Sequence, residues 1–378
     1  MKLSVIQDDI SELGEPIDIS ETNGTTPKDN AIEIDPQSML TIDQQRRLQD
    51  ANYKLVGPHK HAAVKLCHWT KESVKSGGAQ HCYKQKFYGI NSHQCVQMTP
   101  DLPACNLRCS YCWRDFRYFK NEMKGEIDSA KDVVESSIKA QVNLLTGLGG
   151  TPHDEQFLEE AKHPKHVAIS LDGEPTLYPH LPDLIKHYQE HGMTTFLVTN
   201  GTNPEALRAL VEKNALPTQL YVSLSAVDEK MFEATQHPTA EKMWPRILET
   251  LSLLPELNTR KVIRLTMVKG LNMEQPDDIS GTNGTTPKDK ISGTKSAAPK
   301  YAELIAQTNT DFIEIKGWSA VGQSRQRMPL TRMPTHEEIK EFSTELVKNL
   351  PNYRMEAEQE VSRVVLLMRN DTKRFLDL

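Results

Sequence analysis

The chain of 378 residues has no apolar run approaching the roughly 18 residues that a membrane-crossing helix needs, which excludes a helical membrane protein. Its opening segment, MKLSVIQDDISELGEPIDIS, is acidic and lacks the apolar stretch of a secretory signal, so the protein is expected to be cytoplasmic. Cysteine is scarce: there are six, and none in the last 266 residues. Without export, so few thiols do not form a disulfide framework and are read as reduced thiols or metal ligands. Cys67, Cys82, Cys95, Cys105, Cys109 and Cys112 all fall within 46 consecutive residues. Cysteines kept only for core packing would be spread more evenly, so the clustering favours metal.

The net charge of −6 conceals a strong asymmetry. Residues 1–44 hold ten acids and two lysines, whereas residues 45–125 hold fourteen Lys and Arg against five Asp and Glu. That basic stretch contains every cysteine and five histidines. A positive surface beside a metal site suits a phosphate-rich substrate, and the Arg325/Arg327 segment is a second candidate for phosphate contact. A solvated face without a partner accounts for the charge equally well.

Residues 1–44 read as a disordered acidic tail. A similar composition returns at 274–299, expected to be a flexible insertion, and the octapeptide TNGTTPKD occurs in both stretches. Two copies do not make a solenoid, and nothing in the residues explains the duplication. Elsewhere short β-rich runs alternate with helical patterns. CVQMT (95–99), HVAISL (166–171), TTFLVT (194–199), LYVSLS (220–225), KVIRLTMV (261–268), DFIEIK (311–316) and RVVLLM (363–368) read as strands. Helices are expected over 128–148, 184–190, 204–213, 228–235, 244–254, 301–307 and 336–350. Alternation of this kind implies a parallel sheet covered by helices, in a full or partial β/α barrel whose functional groups sit at the strand C-termini. DGEPT, NGT, SAVD, KGLN and GWSAVGQSR follow five of the strands and form a small, polar rim.

Cys105, Cys109 and Cys112 are spaced C-x3-C-x2-C directly after the first barrel strand. Structural zinc needs four ligands, so a fourth would have to come from elsewhere. A thioredoxin-like pair would use Cys109 and Cys112 and leave Cys105 idle. A cube-shaped 4Fe–4S cluster normally takes four thiolates; with three, one iron keeps an open position for a ligand.

This motif ahead of a β/α barrel resembles the radical S-adenosylmethionine (SAM) superfamily. The resemblance implies that the open iron chelates SAM and that an electron from the cluster generates a deoxyadenosyl radical. Tyr111, next to the last cysteine, fits the pattern. DGEP (172–175) stands where that family has glycine–glycine–glutamate, so Gly173 and Glu174 are expected to contact SAM, while Asp172 departs from the motif. Thr199, Asn200, Ser223 and Ser225, near the ends of the next two strands, are the other candidate SAM contacts.

CNLRCSYCWRD, SLDGEPTLYP, LVTNGTNPEAL, RLTMVKGLNM and FIEIKGW are, more narrowly, similar to the archaeal tRNA 4-demethylwyosine synthases, over about residues 50–370. Cys67, Cys82 and Cys95 then become ligands of a second 4Fe–4S cluster, in an extension at 45–100 preceding a barrel at 95–370. The resemblance also implies a Schiff base between pyruvate and Lys84, two residues after Cys82, with Lys86 the neighbour most easily confused with it. The implied reaction condenses N1-methylguanosine, 3′ of the anticodon of tRNA-Phe, with pyruvate to give 4-demethylwyosine. An external electron donor of flavodoxin or ferredoxin type is expected, because the short acidic N-terminus has no room for a flavodoxin domain. The alternatives are another two-cluster radical SAM enzyme acting on peptide or RNA, and a non-catalytic, metal-stabilised RNA-binding protein.

Overall fold

The structure is a computed structural model that describes residues 38–116, 119–275 and 295–378. Both copies of TNGTTPKD, most of the acidic tail and most of the expected insertion lie outside the described residues. The boundary at residue 44 is corrected: a helix, α1 (Ile42–Asp50), begins before it, started by a reciprocal cap between Thr41 and Gln44. The ends of the insertion are also ordered, since Gln275 N–H donates to the Lys295 carbonyl at 2.8 Å and a helix begins at Ala298.

Six strands run parallel: β3 (Cys95–Thr99), β4 (His166–Ile169), β5 (Thr194–Thr199), β6 (Gln219–Ser223), β7 (Arg260–Met267) and β8 (Phe312–Gly317). All six follow the expected runs to within two residues. An antiparallel hairpin of β1 (Lys54–Val56) and β2 (Ala62–Val64) extends the β3 edge. The seventh expected strand, β10 (Val364–Arg369), runs antiparallel to β8 and pairs with β9 (Tyr353–Gln359) beyond it. This corrects the reading of RVVLLM as one more parallel unit. Its sequence is apolar enough for either direction, and the hairpin partner β9, polar and half-exposed, carries no strand signature. Among the described residues β1 and β9 are the two unjoined edges, so the architecture is a partial barrel.

The strands are not buried alike on both faces. Val167, Ile169, Leu197, Leu220, Val222, Ile263, Leu265, Ile313 and Ile315 pack outward into the main core with the covering helices. The alternate positions face inward and carry Gln219, Tyr221, Ser223, Arg264, Glu314 and Lys316; the register sets Ser223 beside Arg264, and Arg264 beside Glu314. A strand that alternates in this way leaves one polar face available to a ligand.

Two short helices precede the barrel, α2 (His68–Lys75) and α3 (Tyr83–Tyr88). α3 fills the inner side: Tyr83, Phe87 and Tyr88 join Phe196, Tyr221, Val262 and Phe312 in a second apolar cluster. Tyr83 and Tyr88 donate their hydroxyls to the two oxygens of buried Glu314, at 3.0 and 2.8 Å. Phe87→Ala, which empties a fully buried site in this cluster, should cost about 3–5 kcal/mol. The urea midpoint would drop accordingly; an unchanged midpoint would show that α3 is not part of the folded core.

Candidate active site

The segment from Asp101 to Asp115 has little regular structure, and other loops fix its backbone. Arg108 N–H donates to the Gln236 carbonyl at 2.9 Å, Ser110 N–H to Thr235 at 2.9 Å, and Gln323 N–H to the Trp113 carbonyl at 2.9 Å. The Cys105, Cys109 and Cys112 thiols are close enough that ionisation of one opposes ionisation of the next. Burial is the main cause of their difficulty in ionising: it pushes Cys109 up to about 12 and Cys105 well above the ordinary thiol range. Burial thus works against the depressed thiol that a thioredoxin-like pair uses. Tyr111 is buried close to both Cys109 and Ser225, which brings the segment just beyond β6 near the triad.

The DGEP turn abuts this loop. Gly173 has φ +67°, and a Cβ there would stand 2.6 Å from the Asp101 carbonyl and 2.7 Å from that of Ala104. Glu174 N–H donates to the Ala104 carbonyl at 2.7 Å. The Glu174 carboxylate accepts from Thr199 Oγ1 at 2.6 Å and from the Asn200 backbone at 2.7 Å. Gly173, Glu174, Thr199 and Asn200 are therefore brought together beside Cys105. Ser225 makes no side-chain hydrogen bond to them among the described residues; its hydroxyl accepts from the Thr266 N–H at 3.3 Å. Ser223 lies apart, on the inner face level with Arg264, and no side-chain hydrogen bond links it to this group among the described residues.

Asp172, where the motif departs from glycine, pairs with buried Arg114 (Nε to Oδ2, 3.6 Å) and accepts from Tyr53 Oη at 3.2 Å. Burial holds this carboxyl up at about 6, against the pull of the guanidinium. Arg114 also donates to the Leu171 carbonyl at 2.7 Å, so it clasps the DGEP turn from a position two residues beyond Cys112. Asn106, from within the triad, clasps the NGT turn after β5 instead, accepting from Asn200 Nδ2 at 2.9 Å and donating to Thr202 Oγ1 at 2.8 Å. Arg327 is corrected from a phosphate contact to an inward clamp, because its guanidinium donates to the carbonyls of Ser110 and Cys112. Arg325 remains exposed. Arg114, Asn106 and Arg327 were not singled out for these roles from sequence; the only available sign was the placement of two of them inside the cysteine motif.

Cys67, Cys82 and Cys95 form a second group. Cys67 is the N-cap of α2 and Cys82 that of α3, and neither side chain makes a capping hydrogen bond. Both thiols thus stand where free backbone N–H groups favour negative charge. Cys95 opens β3 on the inner face. Burial, the larger cause, raises Cys82 to about 11 and Cys95 to about 12, and Cys67 lies close enough to oppose ionisation of both. Lys84 is buried, with Nζ 4.5 Å from the centre of the Tyr221 ring and 5.0 Å from that of Phe196, and its charge reaches both Cys82 and Cys95. Lys86, two residues on, is exposed. Lys316 and Arg264 complete the surroundings of this triad. Sequence reading missed both, since a basic residue in a strand looks like a solvent-facing position.

Among the described residues no three His, Cys, Asp or Glu side chains converge tightly enough to hold one metal ion. Three thiols without a fourth ligand fall short of a closed zinc site, and by their donor chemistry match an iron–sulfur cluster with one iron left open. No helix among the described residues is long and apolar enough to cross a membrane.

Comparison with known proteins agrees with this geometry. Residues 100–280 match the radical SAM superfamily and residues 307–369 match a wyosine base formation domain. The chain is 43% identical to the S-adenosyl-L-methionine-dependent tRNA 4-demethylwyosine synthase of Pyrococcus abyssi, over 92% of this chain and 94% of that protein. The mouse enzyme of the same name is 35% identical over 88% of this chain but only 42% of its own length. Among solved structures, TYW1 with a lysine-pyruvate adduct bound superposes with a TM-score of 0.73 at 32% identity, covering 90% of this chain and 99% of that one. Archaeal TYW1 gives 0.67 at 31% identity, covering 89% and 100%. The chain is a radical SAM enzyme and belongs to the tRNA 4-demethylwyosine synthase family.

Proposed function

We propose that this enzyme condenses N1-methylguanosine, 3′ of the anticodon of tRNA-Phe, with pyruvate to form 4-demethylwyosine, using SAM, two 4Fe–4S clusters and an external electron donor of flavodoxin or ferredoxin type. The observation that carries this reading is the pair of separate cysteine triads, one at the strand C-termini and the other on the inner face with a buried lysine. Family membership implies SAM and one 4Fe–4S cluster, and Cys105, Cys109 and Cys112 are the ligands we assign to it. That cluster, when bound, supplies the electron that cleaves SAM. Glu174, Gly173, Thr199 and Asn200 form the adjoining polar ledge on which SAM is oriented, and Ser225 positions Tyr111 against the triad. Ser223 is assigned to SAM by its strand end alone.

The second cluster is assigned to Cys67, Cys82 and Cys95, carried largely by the extension at 45–100. Lys84 acts on the substrate side. Its amine nitrogen adds to C2 of pyruvate, the carbonyl oxygen leaves as water, and the resulting imine holds the three-carbon unit covalently. Aromatic rings on two sides and burial exclude bulk water from this lysine, as an imine requires. Exposed Lys86 has neither feature. A lysine-pyruvate adduct in a similar solved structure supports the assignment. The basic stretch at 45–125, apart from the clamping arginines, supplies the phosphate-facing surface, and an unpaired anticodon loop lets the target base leave its stack at modest cost.

Anaerobic incubation with SAM, pyruvate, a reductant and tRNA carrying N1-methylguanosine should yield the tricyclic base, detected by nucleoside mass spectrometry. Omission of pyruvate should abolish it, and a product formed without pyruvate would sink the proposal.

Cys109→Ala should remove SAM cleavage and about halve the iron, from about eight to about four atoms per chain, because the second triad is untouched. Iron analysis and methionine release measure the two effects.

Lys84→Arg keeps the charge but replaces a nucleophilic amine with a guanidinium that stays protonated. It should retain both clusters and SAM cleavage while making no tricyclic base. Borohydride, which reduces the imine to a stable amine, should trap pyruvate on the wild type alone; trapping in the variant would shift the role to another lysine.

A further inference from the structure

The inner face of the sheet holds a cation that the chemistry above does not use. Arg264 projects from β7 between Ser223 and Glu314, and its Nε is fully buried without a hydrogen-bond partner. An arginine carries five N–H donors and no acceptor, so an unpaired buried Nε is an unmet demand for an oxygen anion. The neighbouring carboxylate does not meet it. Both Glu314 oxygens are committed to Tyr83 and Tyr88, and no ion pair joins Glu314 to Arg264 among the described residues.

Lys316, one register step beyond Glu314, lies 5.3 Å from the centre of the Tyr83 ring and faces Cys82 and Cys67. Arg264 in turn is within electrostatic reach of Cys82 and of Tyr221, the ring that Lys84 touches. Lys84, Arg264 and Lys316 therefore share one set of neighbours, with a single carboxylate among them. Three thiolates on a cube whose iron–sulfide core is itself cationic leave only a small negative charge. That charge does not balance the cations, so room remains for one more anion.

We propose that Arg264, assisted by Lys316, is the seat for the carboxylate of the 2-oxo acid whose carbonyl Lys84 captures. This positioning role restricts the site to 2-oxo acids and disfavours neutral ketones and esters. It rests on the reading of Lys84 given above. A carboxylate has two oxygens, so if a second cluster were held by Cys67, Cys82 and Cys95, meeting the guanidinium would still leave one oxygen available to it.

The test uses the cluster-loaded enzyme under anaerobic conditions. Borohydride trapping on the Lys84 peptide is measured by mass spectrometry against concentration, once with pyruvate and once with methyl pyruvate, which keeps the ketone and loses the charge. Wild type should reach half-trapping at about ten- to a hundredfold lower pyruvate than ester, the range a hydrogen bond to a charged group supplies. In Arg264→Met and in Arg264→Gln this preference should collapse, and Arg264→Lys should restore part of it. A merely structural role for Arg264 would weaken trapping of both compounds together and leave their ratio unchanged. Either neutral variant suffices if the other does not fold. A preference that survives their substitution assigns the carboxylate to iron alone and overturns the proposal. Failure of the wild type to trap either compound overturns the Lys84 reading itself.

Discussion

The cysteine loop between β3 and the helix α4 (Ala130–Leu145) has to present three thiols in a fixed arrangement, yet its described residues form no helix or strand that would order it. Its backbone groups must still be satisfied where they are buried. The contacts that do this come from the rims of three other barrel strands, the DGEP turn after β4, the 235–239 turn beyond β6 and the 322–327 segment after β8, while Asn200 after β5 holds the Asn106 side chain. The barrel is thus the mould of the site, and Gly173 is one of the points where it presses closest. There two carbonyls of the cysteine loop approach so closely that any side chain would push the loop away.

The two faces of the sheet divide the labour. The outer face is apolar, packs against the helices and holds the fold. The inner face is polar and aromatic, and α3 closes part of it with Tyr83, Phe87 and Tyr88. The hydroxyls on Glu314 allow a helix from the extension to sit against a buried carboxylate without leaving it unpaired. They also withdraw that carboxylate from the nearby cations, which keeps those cations available.

Much of this was legible in the residues, and for identifiable reasons. The parallel strands were visible because their outward positions are dense in Val, Ile and Leu, and the first triad because its spacing is short and local. β1, β2 and β9 were not, since strands of three residues or of exposed polar residues carry no periodic signal. The direction of β10 depends on its hairpin with β9, which no composition reveals. The second triad carried a weaker signal, because its cysteines are far apart in the chain, and wide spacing says only that ligands could be gathered from separate turns; family likeness narrowed it further. Arg327 was misassigned for a related reason: a basic residue in a polar loop looks solvent-facing until the loop that it clamps is known. Arg264 was hidden by its alternation with Ile263 and Leu265, which made the whole run look like core.

The placement of Cys67 and Cys82 at the starts of α2 and α3 has a consequence for how the molecule matures. A cluster bound there would cross-link two helices of the extension to the first strand of the barrel, so its binding energy would be folding energy. The other triad lies within eight residues of one loop and does not join separate parts of the chain. Oxidative loss of iron from the second site would then loosen the extension as well as remove a ligand site, whereas loss from the first would leave the architecture standing. If both centres are bound as proposed, the rim one would be repairable and the inner one structural, and assembly would have an order: the inner centre built while α3 is still free to close over it, the rim centre filled last.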